Sequence, residues 1–160
     1  MKKRQEILLG QLKTYRTELL QVAKSFTQEE TDIIPHGFRN NVRWNLGHVF
    51  LDQYLWIQAL SKEEPPIPDG FKEWFGFGTT PADFTEKTPA YTDLITFLEA
   101  QPDQISEMYR DRLDEEYPAI DMGMQTIEQV LIRTIFHEGM HLQAIISIKK
   151  ALKNQAAQTK

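Results

Sequence analysis

Cysteine is absent from all 160 residues, which excludes a disulfide framework, a thiolate-ligated metal and a thiolate nucleophile supplied by the chain. Long apolar runs are missing too. No stretch approaches the roughly 20 residues that a membrane helix needs. The basic start Met1-Lys2-Lys3-Arg4 has the look of a signal n-region, but Glu6, Gln11 and Lys13 interrupt any apolar segment behind it. The expectation is a cytoplasmic protein with no membrane partner. Positive charge is also in deficit: 18 Lys+Arg against 23 Asp+Glu leave a net charge of -5, the wrong sign for gripping nucleic acid through its phosphates. Alternating strand patterns and internal repeats are likewise missing. What remains is 41% hydrophobic and 26% charged, the make-up of a globular protein, and the length suits one domain over residues 1–160.

Apolar residues recur close to the helical period in four runs. Leu8, Leu12, Tyr15, Leu19, Val22 and Phe26 form one stripe, and the second run, about 41–60, is apolar over a wider arc that includes Val42, Trp44, Leu46, Val49, Phe50, Leu51, Leu55 and Ile57. The third carries Tyr91, Leu94, Leu98, Ile105, Met108 and Leu113, with Thr88 as a candidate cap, Pro89 at the first helical position and Pro102 predicted to kink or split it. In the fourth, Thr126 and Gln129 make a capping-box pattern, apolar residues continue to about Leu152, and Lys149, Lys150 and Lys153 are placed at the negative end of the helix dipole. The pattern predicts an all-α fold, four long helices in one bundle.

Residues 63–89 break the pattern. They hold five of the eight prolines and three of the eight glycines, together with Phe71, Trp74, Phe75, Phe77 and Phe84. A connector of this length spans up to ~90 Å, against ~30 Å for a 20-residue helix, so it can cross the bundle and leave its second and third helices parallel. Its aromatics either seal an open end of the core or wall a site.

Only four histidines are present: His36, His48, His137 and His141. A spacing of four puts His137 and His141 on one helix face, able to grip a single ion. On a wheel of about 100° per residue, Val130, Thr134, His141, Ala144 and Ile148 all fall within about 60° of His137, so both imidazoles lie on the core-facing stripe. Buried imidazoles need partners, and a metal supplies them. His48 sits similarly on the second helix, where Asn41, Asn45 and Asp52 share its row and offer groups to orient an imidazole through its second nitrogen. Three neutral histidines with an open position are the pattern of a catalytic divalent site. His36, in a Pro35-His36-Gly37 turn, reads as a surface or pocket-rim residue.

His137-Glu138-Gly139-Met140-His141 matches the zinc-protease motif, in which the Glu activates a water on the metal. No His, Asp or Glu follows His141, however, and no edge strand is evident to align a peptide. A metalloprotease is therefore the weaker reading. Glu138 is a candidate for polarising a bound water, or else a solvated or outer-sphere carboxylate.

Asn40-Asn41-Val42-Arg43-Trp44-Asn45-Leu46-Gly47-His48, the long crossover and Phe136-His137-Glu138-Gly139-Met140-His141 together resemble the DinB-like (YfiT-like) metalloprotein superfamily over essentially the whole chain. The specific part is Trp-x-x-Gly-His on the second helix combined with His-x-x-x-His on the fourth. The resemblance implies an up-down-down-up four-helix bundle, frequently a homodimer, with a divalent ion held by His48, His137 and His141. It implies zinc or nickel as the metal. It also implies transfer of a low-molecular-weight thiol to an electrophile, or isomerisation or hydrolysis of related small molecules. Iron occupies a similar site in ergothioneine-forming sulfoxide synthases, but their Glu two residues after the last His is here Gln143.

The resulting expectation is a metal-dependent transferase or hydrolase, in which the ion acidifies a bound thiol or water. Arg39 and Arg43 are candidates for pairing with carboxylates on such a cofactor. The rival is a non-catalytic helical module that a metal stiffens. Ile135, Leu142 and Ile146, opposite the histidines, suggest a dimer face unless packing within the monomer absorbs them.

Overall fold

The computed structural model describes residues 1–158, whose regular elements are all helices, with no strand among them. Four long helices, α1 (Lys3–Ala23), α3 (Val42–Ser61), α5 (Tyr91–Tyr109) and α6 (Ile127–Gln158), are joined by loops that hold two short ones, α2 (Gln28–Asp32) and α4 (Phe71–Phe75). The long helices pack in a closed ring, α1 and α3 each lying against both α5 and α6. One continuous apolar cluster fills the centre. Leu12, Leu19, Leu46, Leu51, Ile57, Leu94, Leu98, Ile105, Leu131 and Ile145 contribute fully buried side chains, each worth roughly 1.5–3 kcal/mol of burial.

The sequence-based boundaries hold for α3, whose N-cap Asn41 accepts from Trp44 N at 2.8 Å. They hold also for the start of α6, where Thr126 and Gln129 exchange the two capping-box bonds. Elsewhere tertiary structure overrides the local signal. Thr88 does not cap α5; its hydroxyl accepts from Thr85 N, and Asp93 instead receives the Ala90 N–H. Pro102 lies inside α5 without splitting it. Lys149, Lys150 and Lys153 are interior to α6, which runs on to Gln158, and Lys149 reaches back to Ser25 O and Glu30.

The stripe on α1 is rotated from its predicted position. Tyr15 points outward, while its neighbour Arg16 is 2% exposed and sits in the core. Every N–H of that guanidinium is bonded. Nε and Nη2 meet the two oxygens of Glu138 at 2.6 and 3.1 Å, Nη1 donates to Leu98 O and Gln101 Oε1, and Nη2 also donates to Gln53 Oε1. Leu98 O is available because Pro102, four residues on, has no N–H to give it. Gln53 continues to Thr134 Oγ1, and Gln101 to Phe50 O. One buried cation thus ties α1 to α3, α5 and α6.

The crossover from 63 to 89 does both things its aromatics suggested. Phe71 and Phe75 are buried in the core, and Phe77, Gly78 and Thr79 wall a pocket over α3 and α6. Ile135 and Leu142 pack against the core and Ile146 is half-buried, so the face expected to dimerise is partly covered within the monomer, while Ile135 and Leu142 still line a groove beside Tyr15. The large apolar residues that α6 leaves exposed are Ile132, Phe136 and Met140, at 58%, 71% and 56%.

Candidate metal centre

The first turns of α3 are built around His48. Trp44, one turn earlier, stacks on its imidazole with ring centroids 4.7 Å apart and planes 10° from parallel. Gly47 lies directly under the Phe75 ring, where any Cβ would collide with it. The missing side chain lets α4 come close enough for Phe75 O to accept from His48 Nδ1 at 2.7 Å. Tryptophan and glycine at those spacings are therefore parts of the histidine's mounting.

His137 and His141, one turn apart on α6, face α3 from the other side. His137 Nδ1 lies 2.9 Å from Asp52 Oδ2, and that carboxylate also meets Arg133 Nη1 at 3.4 Å. His141 Nδ1 lies 2.8 Å from Asn45 Oδ1. The Asn45 amide is oriented by its own Nδ2, which donates to Asn41 O at 2.7 Å, so its oxygen can only accept from His141. Asn45 and Asp52 thus orient the two α6 histidines, while a backbone carbonyl of the crossover orients His48.

These contacts fix the tautomers. A backbone carbonyl, a carboxylate and an oriented amide oxygen are all acceptors, so each Nδ1 carries a proton, and in a neutral ring the Nε2 lone pair is left free. His137 Nε2 and His141 Nε2 face each other at 3.2 Å. One donor atom from each of the three histidines lies within 4.8 Å of the other two. Two nitrogens bonded to one tetrahedral zinc at about 2.0–2.1 Å are separated by about 3.3 Å, so the α6 pair already stands at ligand spacing. Three imidazole nitrogens with second-sphere acceptors behind them could hold a metal ion.

Electrostatics agree. Burial pushes His48 below the ordinary imidazole value, and it pushes His141 down to about 3, helped by the neighbouring imidazoles. Burial alone would raise Asp52, but the hydrogen bond with His137 holds it below the usual carboxylate range. At neutral pH His48 and His141 are thus unprotonated and able to ligate.

The other candidates lie in different places. Glu138 is 3% exposed and both its oxygens are bound by Arg16, because a step of about 100° from His137 turns it toward α1. Arg43 is fully engaged in structure, with Nε and Nη2 donating to Pro89 O and Thr88 O, Nη1 to Asp32, and the guanidinium lying over the Phe84 ring. It staples the end of the crossover to α3. Arg39 does line the histidine pocket, a cavity of about 310 Å³ that it shares with Trp44, Phe77, Gly78 and Thr79. His36 is exposed and takes no part. Sequence reasoning missed Phe75 O, Arg133 and Arg16. Of these only Arg16 left a sequence signal, a charge at helical spacing between Leu12 and Leu20.

A family model described as the DinB superfamily matches residues 11–145. The chain belongs to the DinB superfamily. No functionally curated protein matches it. Among solved structures, the fold of this DinB-superfamily chain is similar to the crystal structure of a conserved protein from Enterococcus faecalis. The TM-score is 0.68 at 18% identity, over 96% of this chain and 99% of the other. Among the described residues no helix is long and apolar enough to cross a membrane.

Proposed function

We propose that this DinB-superfamily protein is a metal-dependent enzyme of small-molecule chemistry, a transferase that adds a low-molecular-weight thiol to an electrophile, or a hydrolase of related substrates. The observation that carries it is the arrangement of the rings: three Nδ1–H groups all engaged outward, and one nitrogen of each histidine within 4.8 Å of the other two beside an open pocket. His48, His137 and His141 would hold the ion. Bound there, zinc or nickel supplies Lewis acidity that lowers the pKa of a thiol or a water into the neutral range.

The chain's own residues do the rest. Asp52, Asn45 and Phe75 O hold the imidazoles in the ligating orientation, so little reorganisation accompanies binding. The Trp44 ring and the crossover wall limit water around the centre. In the transferase reaction the S–C bond forms as the carbon–leaving-group bond breaks, the leaving group departs with the electron pair, and the thiol proton passes to solvent. A chain without cysteine requires that sulfur to come from outside.

The reading includes one domain over residues 1–160, an up-down-down-up four-helix bundle, a cytoplasmic location and a homodimer. The dimer is supported by the exposed stripe Ile132, Phe136 and Met140 and the adjoining groove of about 670 Å³ beside Tyr15. The test is consumption of a thiol and an electrophile such as chlorodinitrobenzene by zinc- or nickel-loaded protein. Turnover lost in His48→Ala, with the thermal melt little changed, is the expected result. A large loss of stability in that variant with no turnover by wild type would instead identify a metal-stiffened, non-catalytic module.

A further inference from the structure

The wall of the histidine pocket is one-sided in charge. His48, His137 and His141 bring no negative charge, and Asp52 is turned away on His137 Nδ1 and Arg133. The Trp44 indole N–H is donated to Thr79 Oγ1, whose own proton goes to Trp74 O and Gly76 O. None of the lining residues is acidic. Arg39 is the one charged side chain among them, exposed, making a single hydrogen bond from Nη2 to Gly78 O and no ion pair among the described residues. A guanidinium has five N–H donors, so most of the fork of this pocket-lining arginine is unspent. A chain carrying a net charge of -5 thus presents a positive pocket. A divalent ion held by uncharged ligands makes it more so.

Phe77 lies on the same rim. Its ring is fully exposed, between Gly76 and a Gly78 held at φ 89°, a backbone position that favours glycine. Water-exposed phenylalanine gains by being covered, and what enters the pocket lies against it.

Resting on the metal-centred reading above, we infer that the pocket selects a small organic acid: one end reaches the three-histidine centre, an apolar body lies along Phe77, and a carboxylate pairs with the Arg39 fork. Arg39 is then the specificity-determining residue, and the metal end alone does not discriminate. The cavity, about 310 Å³, is at the small end of ligand sites and suits a compact molecule.

The test uses cobalt-loaded full-length protein and two probes of nearly equal shape, 3-mercaptopropionate and 3-mercaptopropionamide, titrated through the sulfur-to-cobalt absorption. The acid is expected to bind about tenfold tighter than the amide to wild type, as a charge-assisted fork pairing gives. Arg39→Gln, which keeps a donor for Gly78 O, should bring the two probes level, and Arg39→Lys should restore part of the preference. Equal affinities in wild type, or an acid preference that survives Arg39→Gln, would overturn this assignment with the metal centre intact. Absence of the absorption with both probes would overturn the thiol-binding reading itself, and this assignment with it.

Discussion

Arg16 and Glu138 meet 2.6 Å apart in the middle of the bundle, joining the first long helix to the residue that directly follows a candidate metal ligand. The pairing decides what the His-Glu-x-x-His string is for: its Glu is the counter-charge of a buried arginine. Arg16→Met strands that carboxylate without a partner, and a loss of about 3–5 kcal/mol in urea-denaturation stability is expected. The double variant Arg16→Met/Glu138→Leu, which removes both charges, should recover most of it. Equal losses in the single and double variants would show that the pair, and not the orphaned charge, sets the cost.

The orienting contacts behind the histidines should appear in metal affinity. Asp52→Ala frees His137 Nδ1 and Asn45→Ala frees His141 Nδ1. Each is expected to weaken zinc binding about 10- to 100-fold in a competition titration with a chromophoric chelator. Unchanged affinity in both would mean that the rings are held by packing alone.

Gly47 supplies a prediction in which no ligand or polar group is altered. A methyl group at this position enters the Phe75 ring, forcing α4 outward and drawing Phe75 O away from His48 Nδ1. Gly47→Ala should cost about 1–3 kcal/mol of stability and weaken zinc binding together. A stability loss without an affinity loss would separate the crossover from the site.

Acidification should destabilise the metal-free protein well before the carboxylates titrate. In the unfolded chain His141 takes up a proton near pH 6.5, whereas in the folded protein it does so only at about 3. Between these values the unfolded state binds more protons, so stability falls as pH falls. His48 shifts in the same direction. His141 alone accounts for about 2 kcal/mol between pH 7 and 5. Urea midpoints over that range test it, and His141→Asn should flatten the dependence. A wild-type midpoint constant from pH 7 to 5 would contradict it.

Much of the site is legible in the sequence because helical periodicity fixes which residues share a face. His137 and His141 could be paired from their spacing, and His48 set on an inward row, before any coordinates. What could not be read was how the rows are held. Phe75 contributes a backbone carbonyl, which leaves no residue-type signature and becomes relevant only when a glycine 28 positions earlier admits the ring. Arg16 breaks an apolar stripe that Tyr15 seemed to continue, and its burial depends on Glu138, Gln53 and Gln101 arriving from three other helices. Pro102 follows the same logic: of the kink or split it predicts, the split does not occur, because the Leu98 carbonyl its missing N–H frees finds a donor on another helix.

Zinc stoichiometry measures the central claim most directly. Untagged wild-type protein, stripped and reloaded, should hold one zinc per chain by elemental analysis, and His48→Ala and His137→Ala should hold none while keeping their helical circular dichroism. A wild type that takes up no ion, or a His48→Ala variant that binds zinc as tightly as wild type, would contradict it.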